Sequence, residues 1–287
     1  MERPDRSLGN SHSNVSLTSQ MFFTQFPALP LTLKRARTRP RTAISRMRTA
    51  ANALLCGLAI CGSEVKGDVN NYVSARAAMI QNIQDYAQAR DLGENQLDPA
   101  VLAAMNHVPR HEFVPAYLRD SAYENHPLPI GHGQTISQPY IVALMTDLLD
   151  VQPDDSVLEV GTGSGYQAAV LAELAGQVYT IEIIEPLATQ AAKQFAPLGY
   201  DNLTTRTGDG YNGWPQQAPF DAIMVTAGAD RVPPPLVRQL KPGGTMIIPV
   251  NSSAFSQNLT RVQKTPEGDI ETRQLLPVLF VPLTGDR

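Results

Sequence analysis

Ser156-Val157-Leu158-Glu159-Val160-Gly161-Thr162-Gly163-Ser164-Gly165-Tyr166-Gln167 is the stretch that decides the fold. An apolar run at 157–160 meets a glycine-rich turn, and a helix-forming run at 166–175 follows. Strand, tight turn and helix in that order make the first unit of a nucleotide-binding α/β sheet. Glycines at 161, 163 and 165 let the backbone turn sharply and let a ligand lie directly against it, because a Cβ there would fill the space. The spacing is GxGxG, with Tyr166 where a GxGxxG fingerprint has its third glycine. Glu159 stands two residues before the first glycine. Glu182, 21 residues after Gly161, closes the next strand, where a carboxylate can accept hydrogen bonds from ribose hydroxyls.

Downstream the alternation is regular. Strands are predicted at 177–182, 203–207, 220–226 and 245–250, with helices at 186–198 (closed by Gly199) and 235–240 and a turn at 241–244. Near-continuous apolar strands alternating with helices predict a doubly wound, mostly parallel sheet covered on both faces. Two further runs, 259–262 and 270–276, flank Thr265-Pro266-Glu267-Gly268-Asp269 and read as a C-terminal antiparallel hairpin. Upstream, apolar residues at helical spacing (Val73, Ala77, Ile80, Ile83, Ala87) predict a helix over 73–89, ending at Gly93, and Asp98-Pro99 caps a second through Met105. Together these form an N-terminal helical subdomain. A third helix is predicted at 138–149, with Ser137 as its N-cap and Ile141, Leu144, Met145 and Leu148 inward. The glycines of Gly131-His132-Gly133 make a flexible approach to it.

In such sheets ligands bind outside the carboxyl ends of the strands. Gly161, Thr162, Gly163, Ser164, Gly165, Glu182, Asp209, Gly210 and Thr226 fall at those ends. Asp209 is placed to accept from the exocyclic amine of a base, and Trp214 reads as packing. Glu159 suits S-adenosylmethionine, whose ammonium an acidic loop can neutralise and which has no pyrophosphate to demand a helix packed tightly under a third glycine. A nicotinamide dehydrogenase and a glycine turn with no ligand remain open on these residues alone, as do a small-molecule methyltransferase and a non-catalytic binding module of the same fold.

Charge is unevenly placed along the 287 residues. Residues 1–67 carry ten Lys/Arg and three Asp/Glu, so the whole-chain value of −4 leaves −11 for 68–287. So acidic a body is a poor nucleic-acid binder, because phosphate neutralisation needs clustered Lys and Arg. The two cysteines, Cys56 and Cys61, lie outside the body, which excludes thiol catalysis and cysteine-ligated metal there. Scattered His, Asp and Glu predict no metal. Residues 1–46 read as a disordered basic extension. The apolar segment 49–62, preceded by Arg46-Met47-Arg48, is too short to span a bilayer and resembles a secretory signal in outline. The predicted division is therefore an extension over 1–70 and a catalytic domain over 71–287.

With these residues in view, the chain resembles the protein-L-isoaspartate O-methyltransferases over roughly 75–283. Thr135-Ile136-Ser137-Gln138-Pro139-Tyr140 looks like that family's own segment ahead of the cofactor motif. Residues 157–166 resemble its cofactor motif, and Gly208-Asp209-Gly210 through Trp214-Pro215 its segment after the third strand. Residues 108–115 and Phe280-Val281-Pro282-Leu283 add to the match. The resemblance implies a Rossmann-like fold and S-adenosyl-L-methionine as methyl donor. It also implies methylation of the free carboxylate of L-isoaspartyl residues in damaged peptides and proteins, with repair through a succinimide. Ser137 would hold that carboxylate, with Thr135, Ile136 and Thr226 beside it. The expected enzyme is monomeric and cytoplasmic, since the methyl donor is made in the cytoplasm; it uses no metal and has no nucleic-acid or stable membrane partner. Export through 47–62 is the minor alternative.

Overall fold

The structure, a computed structural model, describes residues 65–89, 96–253 and 256–285, with side chains from 71 onward. The basic extension, the apolar segment with both cysteines, and Gly93 lie outside the described residues.

Helix α1 (Val65–Ala89) begins ahead of Val73, where the helical spacing starts, and buries Met79 and Ile83. Helix α2 (Pro99–His107) is capped as its sequence reads: Asp98 Oδ1 accepts from Ala100 N at 2.8 Å, and Pro99 occupies the first turn, where no N–H is needed. Two 3-10 turns, Arg110–Phe113 and Ala116–Ser121, fill the proline-bounded stretch that follows. The glycine approach is a defined hairpin rather than a flexible segment. Strands β1 (Leu128–Gly131) and β2 (Gln134–Ile136) pair antiparallel through a turn in which Gly131, His132 and Gly133 all have positive φ. Helix α3 (Pro139–Leu149) buries Leu144, Met145 and Leu148 as expected, whereas Ile141 is half-buried. Ser137 is not its cap. Gln138 holds that position without a side-chain bond, and Asn125 Oδ1 instead takes the Tyr140 N–H at 3.0 Å.

The main sheet has seven strands in the order β5-β4-β3-β6-β7-β8-β9. Strands β3 (Ser156–Val160), β4 (Gln177–Glu182), β5 (Leu203–Thr207) and β6 (Phe220–Val225) are parallel, as is β7 (Leu240–Ser253) against β6. Strands β8 (Ser256–Lys264) and β9 (Ile270–Val278) then run antiparallel. Alternate residues of each central strand enter two separate apolar clusters. Val157, Val178 and Met224 pack with the N-terminal helices and with helix α4 (Tyr166–Ala172) and helix α5 (Glu185–Phe195). Leu158, Val160 and Ile223 pack with helix α6 (Pro234–Gln239) and Leu283. Both faces being buried, the central strands carry apolar side chains at successive positions.

Three of the boundaries that differ from the sequence reading have a local cause. The expected turn at 241–244 is part of β7: Leu240 pairs with Phe220 before a register shift, and Gly243 at φ 81 absorbs the irregularity. Helix α4 stops at Ala172 because Asn202 Nδ2 bonds the carbonyls of Ala172 and Ala175 at 2.9 and 3.1 Å. Helix α5 stops at Phe195, whose carbonyl accepts from Tyr200 N, and Gly199 at φ 81 turns the chain. Because β3 has β4 on one side and β6 on the other, chain direction through the sheet reverses there. The crevice at that point is where a ligand is expected.

Candidate active site

A cleft of about 760 Å³, measured out to its mouth, lies at the carboxyl ends of β3, β4 and β6. One wall is the glycine loop. Gly161 (φ 97) is pressed against Thr226, where a Cβ would stand 2.5 Å from the hydroxyl oxygen, and Thr226 Oγ1 donates to the Gly161 carbonyl at 2.6 Å. Thr226 lines the cleft, with its hydroxyl engaged in holding the loop. Gly165 (φ 89) is required by packing, since a Cβ there would lie 2.8 Å from the Phe195 ring of α5. Gly165, one position ahead of Tyr166, thus serves close helix packing in this loop. Gly163 (φ 52) is the open one, with only Ile130 Cδ1 near an added Cβ, at 3.5 Å.

Glu182 secures this wall. It is 6% exposed; Gly163 N donates to Oε2 at 2.8 Å and Ile184 N to Oε1 at 2.9 Å. Ser164 Oγ accepts more weakly from Tyr166 N, at 3.3 Å. Glu159 lies beneath the loop and does not line the cleft. Its carboxyl accepts from Thr180 Oγ1, which sits 2.6 Å from Thr162 Oγ1, so a buried chain of hydroxyls connects Glu159 to the loop. Burial pushes the Glu159 carboxyl up to about 8, and the nearby Glu182 charge adds to the rise.

Asp209 stands behind Gly210, which lines the cleft; its Oδ1 accepts from Tyr211 N at 2.9 Å, while Oδ2 is buried without a partner. Gly285 packs so closely on this carboxylate that a methyl there would overlap it. Trp214 packs edge-on to Tyr179 at 5.5 Å, as its sequence context suggested.

Gln134, Thr135, Ile136 and Ser137 form the opposite wall. Ile136 is buried, Thr135 exposed and Ser137 half-buried. The Ser137 carbonyl accepts from Arg110 Nη2 at 2.7 Å, and its hydroxyl makes no hydrogen bond among the described residues. Helix α3 offers little as an anion site: Pro139 has no N–H, and the Tyr140 N–H is taken by Asn125. A third wall, 281–284, is the C-terminal tail, held by Gly228 N to the Val281 carbonyl and Leu283 N to the Gly228 carbonyl, both 2.8 Å. Gln257 clamps the tail through Phe280, accepting from its N–H at 2.7 Å and donating to its carbonyl at 3.1 Å.

Arg110 and Gln257 escaped the sequence reading. The stretch 108–115 gave no local signal for Arg110, which stands beside His111 and Glu112 and reads as one of three surface-type polar residues between prolines. Arg110 is fully buried, its Nε donates to the Ala122 carbonyl at 2.7 Å, and its guanidinium lies 4.7 Å from the Tyr166 ring centre. Burial lowers its pKa to about 10, so it stays charged at neutral pH. Among the described residues no three His, Cys, Asp or Glu side chains gather as metal ligands. No described helix is long and apolar enough to cross a membrane.

Comparison with known proteins matches this arrangement. The family model for protein-L-isoaspartate(D-aspartate) O-methyltransferase matches residues 81–287. Protein-L-isoaspartate O-methyltransferase 2 of Syntrophobacter fumaroxidans is 56% identical over 245 residues, covering 84% of this chain and 99% of that one. Its namesake from a Polaromonas species is 63% identical over 197 residues, covering 69% and 93%. Among solved structures, a protein-L-isoaspartate O-methyltransferase of Plasmodium falciparum in complex with S-adenosyl-L-homocysteine superimposes with a TM-score of 0.61. It is 25% identical, over 73% of this chain and 98% of that one.

Proposed function

Because the chain belongs to the protein-L-isoaspartate(D-aspartate) O-methyltransferase family, we infer that its cleft brings a methyl donor on the glycine loop to a carboxylate held at Ser137. The enzyme methylates the free carboxylate of L-isoaspartyl residues in peptides and proteins with S-adenosyl-L-methionine. The ester then closes to a succinimide, from which normal aspartate can form. Of the readings the glycine loop left open, family membership selects methyl transfer over hydride transfer or mere binding.

The residues present fit the donor. Gly163 opens onto the cleft, Glu182 sits at the end of β4 with lone pairs beyond its two amide bonds, and Gly210 lines the cleft with the Asp209 carboxylate directly behind it. The loop 161–165, Glu182, Asp209 and Gly210 would hold it. When bound, S-adenosylmethionine supplies a methyl group already activated by its sulfonium charge. The nucleophile, with an ordinary carboxylate pKa of about 4, is ionised at neutral pH, so the chain needs no general base. Its task is orientation, which can lower a barrier by about 7–11 kcal/mol at best. Ser137 donates its hydroxyl to the carboxylate, Thr135 and Ile136 flank it, and Thr226 keeps the loop in place from below.

The observation that carries this reading is the unengaged Ser137 hydroxyl on a backbone that Arg110 fixes, across one cleft from Gly163. The test is methyl transfer to an isoaspartyl peptide beside its aspartyl twin. Ser137→Ala should lower kcat/KM on the isoaspartyl peptide by about 10- to 150-fold, the worth of a charge-assisted donor of about 1.5–3 kcal/mol. Affinity for S-adenosylhomocysteine should stay unchanged. Since Ser137 caps no helix, its melting temperature should also hold. Equal rates for variant and parent would move the substrate site elsewhere.

We place this enzyme in the cytoplasm as a monomer, acting on isoaspartyl peptides and proteins without nucleic-acid or stable membrane partners; the acidic body and the cytoplasmic origin of the methyl donor support this.

A further inference from the structure

The cleft must take an anion, yet its lining holds no Lys, Arg or His among the described residues, and its one ionisable acid is Glu182. The body around it is strongly acidic, at −11 over 68–287. Directly behind the substrate wall lies a cation with no counter-ion. Arg110 is 0% exposed and makes no ion pair among the described residues; its hydrogen bonds run to the carbonyls of Ala122 and Ser137, and its guanidinium lies over the Tyr166 ring. A buried charge compensated only by dipoles is costly to fold and is ordinarily replaced or paired. Here one of those dipoles belongs to Ser137 itself, and Tyr166 begins the helix that leaves the glycine loop.

We propose that Arg110 is the specificity-determining cation of the substrate site, acting through the wall to favour a free carboxylate over a neutral group at Ser137. This deepens the Ser137 reading and rests on it. Placing the charge one hydrogen bond behind the surface has two effects. The carboxylate is attracted without forming a direct ion pair, so its oxygens stay free to attack. Once methylated it is neutral, the attraction ends, and the ester is released in preference to the next substrate.

The experiment uses the full chain and three variants: Arg110→Gln, Arg110→Lys and Ser137→Ala. Methyl transfer to an isoaspartyl peptide gives kcat and KM, and calorimetry gives the affinity for S-adenosylhomocysteine. In the S-adenosylhomocysteine complex, binding of the isoaspartyl peptide is compared with the same peptide bearing a carboxamide in place of that carboxylate. The parent should prefer the carboxylate by roughly tenfold, the effect of a unit charge within about 10 Å in a partly desolvated cleft. Arg110→Gln should raise KM by about the same factor and erase the preference, while S-adenosylhomocysteine affinity, set by the glycine-loop wall, stays within about threefold. Arg110→Lys, which keeps the charge, should restore most of both. Should Arg110→Gln fail to fold, Ser137→Ala decides the matter: with the hydroxyl gone, the buried cation alone must keep a preference for the carboxylate, and because it is little screened that preference must survive 0.5 M salt. A preference lost in salt, an unchanged KM in Arg110→Gln, or equal effects of Gln and Lys would overturn the proposal. If instead Ser137→Ala behaves as the parent, the site reading itself has failed.

Discussion

Replacing Glu159 with glutamine isolates one buried carboxyl group from everything else that titrates. Glu159 is 0% exposed, takes the Thr180 hydroxyl on one oxygen, and has its other oxygen buried without a partner. Burial pushes it from an ordinary 4.5 up to about 8. A raised value in the folded state means that between these limits the folded protein keeps a proton the unfolded chain has released. That stabilisation is complete below pH 4.5 and is lost progressively as the pH rises to about 8. One proton's difference is worth about 1.4 kcal/mol per pH unit, so going from pH 5.5 to 7.5 should remove about 2–3 kcal/mol from the parent. Glutamine keeps the neutral shape at every pH and has no such slope. Urea unfolding of both proteins at the two pH values is the assay, because their difference cancels every other titrating group. The variant should gain on the parent by that amount as the pH rises; parallel pH dependence would refute the reasoning. The same protein also tests the role the sequence suggested for Glu159. As the group lies under the loop, S-adenosylhomocysteine and S-adenosylmethionine should bind the variant within about threefold of the parent. A comparable loss for both ligands, which carry the same ammonium, would restore Glu159 as that group's partner.

The glycines should separate by function. Gly163→Ala should fold, at a cost of about 1–2 kcal/mol for a left-handed alanine, and should abolish cofactor binding; normal calorimetric binding would reduce the loop to a structural turn. Gly165→Ala should instead lower the melting temperature sharply, since its methyl meets Phe195, and a melting temperature equal to the parent's would contradict the 2.8 Å contact. Residues 47–70 fused to a reporter should stay uncleaved in the cytoplasm, and export with cleavage would reverse the assignment of compartment.

How far the sequence could be read depends on the range of the forces involved. Strands 177–182 and 203–207 have the predicted limits because glycine, proline and asparagine punctuate short strands locally. The Asp98 cap was equally legible, since a cap, a proline and the first turn are neighbours. Ser137 was misread as a cap because the group that satisfies the helix start, Asn125, comes from another segment. Pro242-Gly243-Gly244 looked like a turn because glycine and proline mark strand bulges as readily as loops. The chain from Thr162 through Thr180 to Glu159, and the grip of Arg110 on Ser137, join residues 18 to 27 positions apart. No local pattern encodes such pairings. The cofactor half of the site was legible because its loop is nearly continuous in sequence; the substrate half needed the fold.

Glu182 binds the amides of Gly163 and Ile184 through bonds that lie wholly within the chain. The loop is thus ordered when the protein folds rather than when the cofactor arrives, and little conformational entropy is lost on binding. Entry and departure of the nucleoside then require no opening of the loop. Arrival of the donor can approach the speed of ligand diffusion through the cleft mouth, while its departure is set by its affinity for the preformed loop. The heat-capacity change on cofactor binding should correspondingly reflect the surface of the ligand and its cleft alone, with no contribution from folding of the chain.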